Sequence, residues 1–168
     1  MTTDPVMDRR SIRKYTAEPV DDATVERLLQ AAMSAPSAGN QQPWQFVVIR
    51  DRQLRDRIPS VHPYSAMVPQ APVSILVCGE PESCKWPQYW VQDCSAATEN
   101  ILVEARSLGL GTVWLGVHPL EERVEGLRSL LGIPRQVVPF ALVPVGHPAE
   151  EKPPSGRYDA RRVHRDGW

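Results

Sequence analysis

The chain is poor in features that would place it outside the ordinary aqueous proteins. It has three cysteines, Cys78, Cys84 and Cys94, an odd number without a CxxC pair, which argues against a disulfide framework or a thiolate metal site. Reduced, buried thiols in a cytoplasmic protein are the expectation. No apolar run approaches the roughly 18 residues that a membrane span needs, and the stretch from Met1 to Arg13 is polar and charged, unlike a secretory leader. No large charge of one sign is present either. With 19 basic and 20 acidic residues the net charge is −1, so no global field draws the protein to nucleic acid or an anionic lipid surface. Glycine is scarcer than proline, 10 against 17, and the prolines are dispersed among periodic segments, which indicates many rigid connections and not a disordered chain.

What is present is an ordinary globular composition: 42% hydrophobic and 23% charged over 168 residues, enough for one domain with a real core. Val25, Leu28, Leu29, Ala32 and Met33 follow helical spacing after an Asp21 N-cap, with Val20 and Val25 placed as a hydrophobic staple. Pro36 ends that helix. A longer helix is expected over residues 88–108, with Cys94, Ala97, Ile101, Ala105 and Leu108 on one stripe and Gly109 as its stop. Leu120, Val124, Leu127 and Leu131 mark another helix. Strands are expected at 44–49, 73–78, 112–117 and 137–145, and the prolines Pro139 and Pro144 favour strand ends or bulges in the last of these. The tail from His147 has no period but carries Tyr158, Val163 and Trp168, apolar anchors that suit an arm wrapped over a second subunit.

Two segments carry the chemistry. Arg9-Arg10-Ser11-Ile12-Arg13-Lys14-Tyr15 offers cations and a hydroxyl; in a helical turn Arg9 and Arg13 would share a side. Guanidinium forks match phosphate oxygens, although a solvated basic helix end would look the same. Pro36-Ser37-Ala38-Gly39-Asn40-Gln41-Gln42-Pro43-Trp44 is a turn crowded with amides and hydroxyls, in which Gly39 allows close backbone approach. Trp86, Tyr89 and Trp90 fall on one side of a helix start and serve either as core or as an aromatic pocket wall. Other signals are weaker. His62, His118, His147 and His164 lack metal-ligand spacing and read as loop or surface residues. Asp93 and Glu99, six apart, fall on different helix faces and are no acid/base pair. Gly109-x-Gly111 with Gly116 is not a dinucleotide fingerprint, because its third glycine is misplaced.

Those two segments, taken in order with Leu108-Gly109-Leu110-Gly111-Thr112-Val113-Trp114-Leu115-Gly116 and with Lys152-Pro153-Pro154-Ser155-Gly156-Arg157 after Gly146-His147-Pro148, resemble the motifs of the nitroreductase family of FMN-dependent oxidoreductases over nearly the whole chain. The resemblance implies an α+β fold, a central mixed or antiparallel sheet flanked by helices, in an intertwined homodimer. Residues 1–168 would form one FMN-binding domain, with 147–168 as the exchanged arm. It implies FMN phosphate and ribityl contacts from Arg9, Arg10, Ser11, Arg13 and Arg157. Pro36, Ser37, Ala38, Asn40 and Gln42 would meet the flavin, typically of the partner subunit. Trp114, Leu115 and Gly116 would lie along the isoalloxazine, with a backbone N–H near N5 or the pyrimidine edge. Gly39, Trp86, Tyr89 and Trp90 would line the substrate pocket. No catalytic side chain and no metal are implied, because FMN carries the hydride chemistry, with NADH or NADPH as donor and a nitroaromatic, quinone or similar flat acceptor in ping-pong order.

The chain departs from the pattern in three places. Ala38 stands where a second serine is common, Ser155 where a second cation is usual, and residues 59–72 match no further flavin contact. Two other readings stay open at this point: a flavin- or nucleotide-binding protein of the same fold without redox turnover, and a nucleic-acid module using the arginine-rich ends, which the near-neutral charge disfavours.

Overall fold

The structure, a computed structural model, describes residues 4–153 and 155–168; Met1–Thr3 and the Pro154 of the tail motif lie outside it. Short helix α1 (Pro5–Asp8) is capped by Asp4. Helix α2 (Asp22–Met33) follows, then strand β1 (Trp44–Ile49), helix α3 (Arg52–Arg57) and strand β2 (Val73–Gly79). Helix α4 (Trp90–Ser107), strands β3 (Gly111–Thr112) and β4 (Leu115–Gly116), helix α5 (Glu121–Leu131) and strand β5 (Val138–Gly146) complete the fold. The sheet order is β1-β2-β5-β3, with β4 also on β5, and every pairing is antiparallel.

Both faces of this sheet are covered. Val73, Ile75 and Val77 of β2 pack toward α2 and α4, while Leu76 and Cys78 join Val124 and Leu127 of α5 on the other face. The alternation of a strand thus feeds two cores from one segment, which is why β2 is buried along its whole length. The expected α+β layering is what the fold shows. Asp21 caps α2, its carboxylate accepting from the Thr24 N–H at 2.8 Å, and Val20 and Val25 are both buried. Gly109 has φ 75°; its N–H donates to Arg106 and that of Leu110 to Ala105, the double bond of a Schellman stop.

Three expectations are corrected. Residues 9–13 are not a helical turn: α1 ends at Asp8, Arg9 is extended at ψ 132°, and Ser11 bridges Thr112 in parallel. The expected strand over 112–117 is two short pieces. Continuing the β3 and β4 register puts Pro144 opposite Val113, and proline has no N–H to give the ladder. Pro139 does stand near a strand end and beside a bulge, where Val77 faces Ala141 and Cys78 faces Pro139, but Pro144 holds a regular ladder position opposite Ser74. Among the described residues no helix is long and apolar enough to cross a membrane.

Gly79 ends β2 under the ring of Trp90, and an added Cβ would sit 2.3 Å from Trp90 Cε3. Gly79→Ala should therefore lower stability by about 1–3 kcal/mol through overpacking, read as a drop in the denaturation midpoint at unchanged slope; an unchanged midpoint would mean that the Trp90 ring is free to move.

Candidate functional site

The loop between α2 and β1 exposes polar groups while being held rigid from beneath. Gly39, Asn40 and Gln42 all have positive φ, 56°, 57° and 50°, conformations that need support where the residue is not glycine. The support is local and remote. Gln42 N–H donates to Ser37 Oγ at 3.0 Å, and Gln42 Nε2 donates to Asn40 Oδ1 at 3.0 Å. From α4, Asp93 Oδ1 accepts the Ala38 N–H at 2.9 Å, and Asp93 Oδ2 accepts Gln41 Nε2 at 2.7 Å. The Gln41 amide also exchanges bonds with the Trp86 backbone, accepting its N–H at 3.0 Å and donating to its carbonyl. Pro36, Gly39, Asn40 and Gln42 remain exposed, with Ser37 and Ala38 half-buried.

Asp93 is 5% exposed; the sequence showed it only as no partner for Glu99, and assigned neither it nor Gln41 this anchoring role. The available signal was an acid in the first turn of α4 beside Cys94 of the buried stripe, where the helix dipole favours a carboxylate. Glu99 faces elsewhere, 3.1 Å from Arg9 Nε.

The cations divide between two hollows. Arg9 and Arg10 join Arg106, Lys152, Ile12 and Leu102 around a cavity of about 330 Å³. Arg9 Nε, Arg10 Nη2 and Arg106 Nε are buried there without a hydrogen-bond partner among the described residues; the Glu99 carboxylate satisfies Arg9 by distance but not by direction. Arg13 lies in a shallower hollow with Lys14, Tyr15, Met67 and Gln70. Ser11 sits between, its carbonyl accepting Lys152 Nζ. Glu150 accepts the Arg13 backbone N–H and lies 3.3 Å from Lys152 Nζ, contacts that hold its carboxyl below the usual range, with the Arg13 bond the largest cause. No residue of 36–44 lines either hollow. Arg157 is exposed.

The third element is the 112–118 segment. Trp114 packs edge-on against Phe140 at 5.7 Å and Leu115 is buried. Gly116 is exposed, and a Cβ added there would meet nothing within 4 Å, so a flat ligand could lie against its backbone. The aromatic trio splits. Trp90 is half-buried against the core, 4.8 Å from His118 and 5.7 Å from Phe140, whereas Trp86 and Tyr89 are exposed. A Cβ on Gly39 would come 3.0 Å from Trp86 Nε1, which puts that ring at the edge of the exposed loop.

The cysteines are free, and burial pushes the Cys78 thiol up to about 12. His62 occupies a loop, as expected, but is buried rather than at the surface. Among the described residues no cluster of three His, Cys, Asp or Glu side chains could hold a metal.

A hydrogen-bonded exposed amide loop, a cationic hollow and an open glycine edge on an antiparallel α+β scaffold are each groups that suit a flat, anionic ligand. Comparison with known proteins narrows this. The nitroreductase family matches residues 6–61 and 60–147. A protein of Methanothermobacter thermautotrophicus, provisionally named an NADH dehydrogenase/NAD(P)H nitroreductase, is 50% identical over 163 residues, 97% of this chain and 85% of that one. The crystal structure of a provisionally named NADH oxidase from Clostridium acetobutylicum superposes with a TM-score of 0.95 at 42% identity, covering 98% of this chain and all of that one (100%). A provisionally named nitroreductase from Desulfovibrio desulfuricans, crystallised with FMN, gives 0.84 at 34% identity over 98% of this chain and 95% of that one. The chain belongs to the nitroreductase family.

Asp93→Ala would strip the loop of both its bonds to α4 and leave the part-buried Ala38 N–H unpaired, at about 1–3 kcal/mol. Backbone amides of residues 38–42 should then exchange with deuterium at least tenfold faster, with α4 still protected; unchanged exchange would assign the loop's rigidity to its local bonds and the Gln41–Trp86 pair.

Proposed function

We propose that the chain is an FMN-dependent NAD(P)H oxidoreductase that passes hydride to a flat organic acceptor, a nitroaromatic, quinone or similar molecule, in ping-pong order within a cytoplasmic homodimer. The observation that carries the reading is the cationic hollow: Arg9, Arg10, Arg106 and Lys152 line one cavity, where Arg10 Nη2 and Arg106 Nε are buried without a partner among the described residues; such a cluster suits an anion, and a phosphate monoester supplies one. The exposed Gly116 edge suits an isoalloxazine ring, and the loop 36–42 suits the polar edge and ribityl chain of a flavin on a partner subunit. FMN, when bound, supplies the hydride-accepting and hydride-donating centre.

The chain's own residues then bind and orient. Arg9, Arg10, Ser11 and Arg13 hold the phosphate end, joined by Arg157 from the tail. Pro36, Ser37, Ala38, Asn40 and Gln42 meet the flavin from the opposite protomer. Trp114, Leu115 and Gly116 back the ring, and backbone N–H groups there stabilise negative charge developing at the ring edge. Gly39, Trp86 and Tyr89 border the space for donor and acceptor, and Trp90 supports them from the core side. A donor and an acceptor that use this one face in turn need no second pocket.

The tail supports a dimer. Its first residues are tied to the N-terminal segment, with Thr16 N–H donating to the His147 carbonyl and Ala149 N–H to that of Lys14, each at 2.9 Å. Beyond them Tyr158, Val163 and Trp168 are exposed, as are Met7 and Met33, apolar groups that a second copy would cover.

Titration of the flavin-free protein with FMN, followed by flavin fluorescence, tests the reading. Uptake of one FMN per chain is expected, and Arg13→Ala should weaken it roughly ten- to a hundredfold through loss of one or two charge-assisted bonds. Unchanged affinity would remove Arg13 from the phosphate site, and no uptake by the wild type would reject the function. Removing residues 157–168 should shift the protein from dimer to monomer in size-exclusion chromatography; a truncated chain that stays dimeric would contradict the exchanged arm.

A further inference from the structure

His62 is a buried, titratable group in the 59–72 stretch, for which neither the motifs nor the proposed chemistry has a use. It is 1% exposed. Its main chain is pinned: its N–H donates to the Ile58 carbonyl at 3.0 Å, and its carbonyl accepts both the Ser65 N–H and, at 2.7 Å, the Ser65 hydroxyl. The loop lies tight on α5, where a Cβ on Gly126 would come 2.7 Å from Val61 Cβ.

The imidazole makes one bond. Nε2 lies 2.9 Å from the carbonyl oxygen of Gly116. A carbonyl only accepts, so Nε2 carries a proton toward it; in the neutral ring Nδ1 is then a lone pair, and Nδ1 is buried without a partner among the described residues. Burial lowers the pKa of the ring, partly offset by the Gly116 bond and aided by nearby Arg123. The same oxygen accepts Arg123 Nη1 at 2.9 Å, and that guanidinium lies over the ring of Tyr64 at 5.2 Å. The Gly116 carbonyl is therefore satisfied without His62. An apolar side chain of similar size would also avoid the orphaned Nδ1, which is unfavourable in a dry site. On its far side the Gly116–Val117 peptide plane is held by the Val117 N–H, which donates to the Phe140 carbonyl at 3.1 Å. The second donor on the Gly116 oxygen adds direction and not satisfaction, because two donors on two lone pairs limit the rotation of the plane about that bond.

We propose that His62 is a positioning residue for the cofactor: with Arg123 it clamps the Gly116 carbonyl and so fixes the peptide edge that the flavin ring meets. The inference rests on the flavin reading above. It gives the 59–72 stretch a role at one remove, through backbone orientation and without a flavin contact of its own.

The test compares His62→Met, His62→Gln and Arg123→Met with the wild type, using FMN as the probe. Three quantities are read: FMN affinity by fluorescence quenching, the visible absorption spectrum of the bound flavin, and the melting temperature of the flavin-free chain. His62→Met should weaken FMN binding about tenfold, as the loss of a buried hydrogen bond implies, and should shift the bound-flavin spectrum. His62→Gln retains an N–H donor and should stay within about threefold of wild type with the native spectrum. Arg123→Met, at a half-buried site that folding tolerates, should weaken binding in the same direction with the same spectral shift, so the test survives if His62→Met does not fold. A His62→Met or Arg123→Met protein with wild-type affinity and spectrum overturns the inference. So does a His62→Gln protein as impaired as His62→Met, since burial and not the bond would then matter. Wild-type protein that takes up no FMN overturns the flavin reading and this inference with it, whereas normal uptake by the wild type and by both Met variants overturns this inference alone.

Discussion

One buried carboxylate decides whether this protein has a usable ligand edge. Asp93 accepts from Ala38 and Gln41, and through Gln41 it reaches the backbone at Trp86. A loop with three residues at positive φ is not a low-energy structure on its own, and exposed loops usually move. Charge-assisted bonds to a carboxylate that has almost no water to compete for it are among the stronger polar contacts available. They let the loop keep its amides and hydroxyls outward, toward a ligand, without losing its shape.

The anchor works because α4 is itself fixed. Its Cys94, Ala97, Ile101 and Ala105 are packed into the core against β2 and β5, and the helix presents functional groups along its length. Asp93 supports the loop, Glu99 approaches Arg9, and Arg106 lines the cationic cavity. Six residues of helical rise, about 9 Å, separate the first two. The other face of the sheet supplies the second support, where the 58–65 loop and α5 converge on the Gly116 carbonyl. The two cores thus support the two exposed segments, the 36–42 loop and the Gly116 edge, one from each face of the sheet.

Much of this was legible in the residues. Helices α2, α4 and α5 announce themselves through apolar spacing, the first two also through their stops at Pro36 and Gly109, and the first two strands through short apolar runs. The exposed candidates Pro36, Asn40, Gln42 and Gly116 stand where a ligand could reach them. The hidden part was the part set by tertiary partners. Arg9 to Arg13 reads as a helical pair by spacing, yet pairing of Ser11 with Thr112 draws the segment out straight. The 112–117 strand is broken by a proline thirty residues later in the chain. Asp93, Gln41 and His62 look ordinary in sequence because each acts on backbone groups far along the chain, and nothing at i±3 or i±4 reports those bonds. The tail shows its apolar anchors but not where they rest.

The central claim is that this scaffold holds a redox-active flavin for a nicotinamide donor. It is tested most directly by the visible spectrum of the FMN-loaded protein before and after adding NADH or NADPH without oxygen. The account predicts that the flavin absorbance bleaches with one of the two donors and returns when a quinone or nitroaromatic acceptor is added. A bound flavin whose spectrum persists with both donors would contradict it.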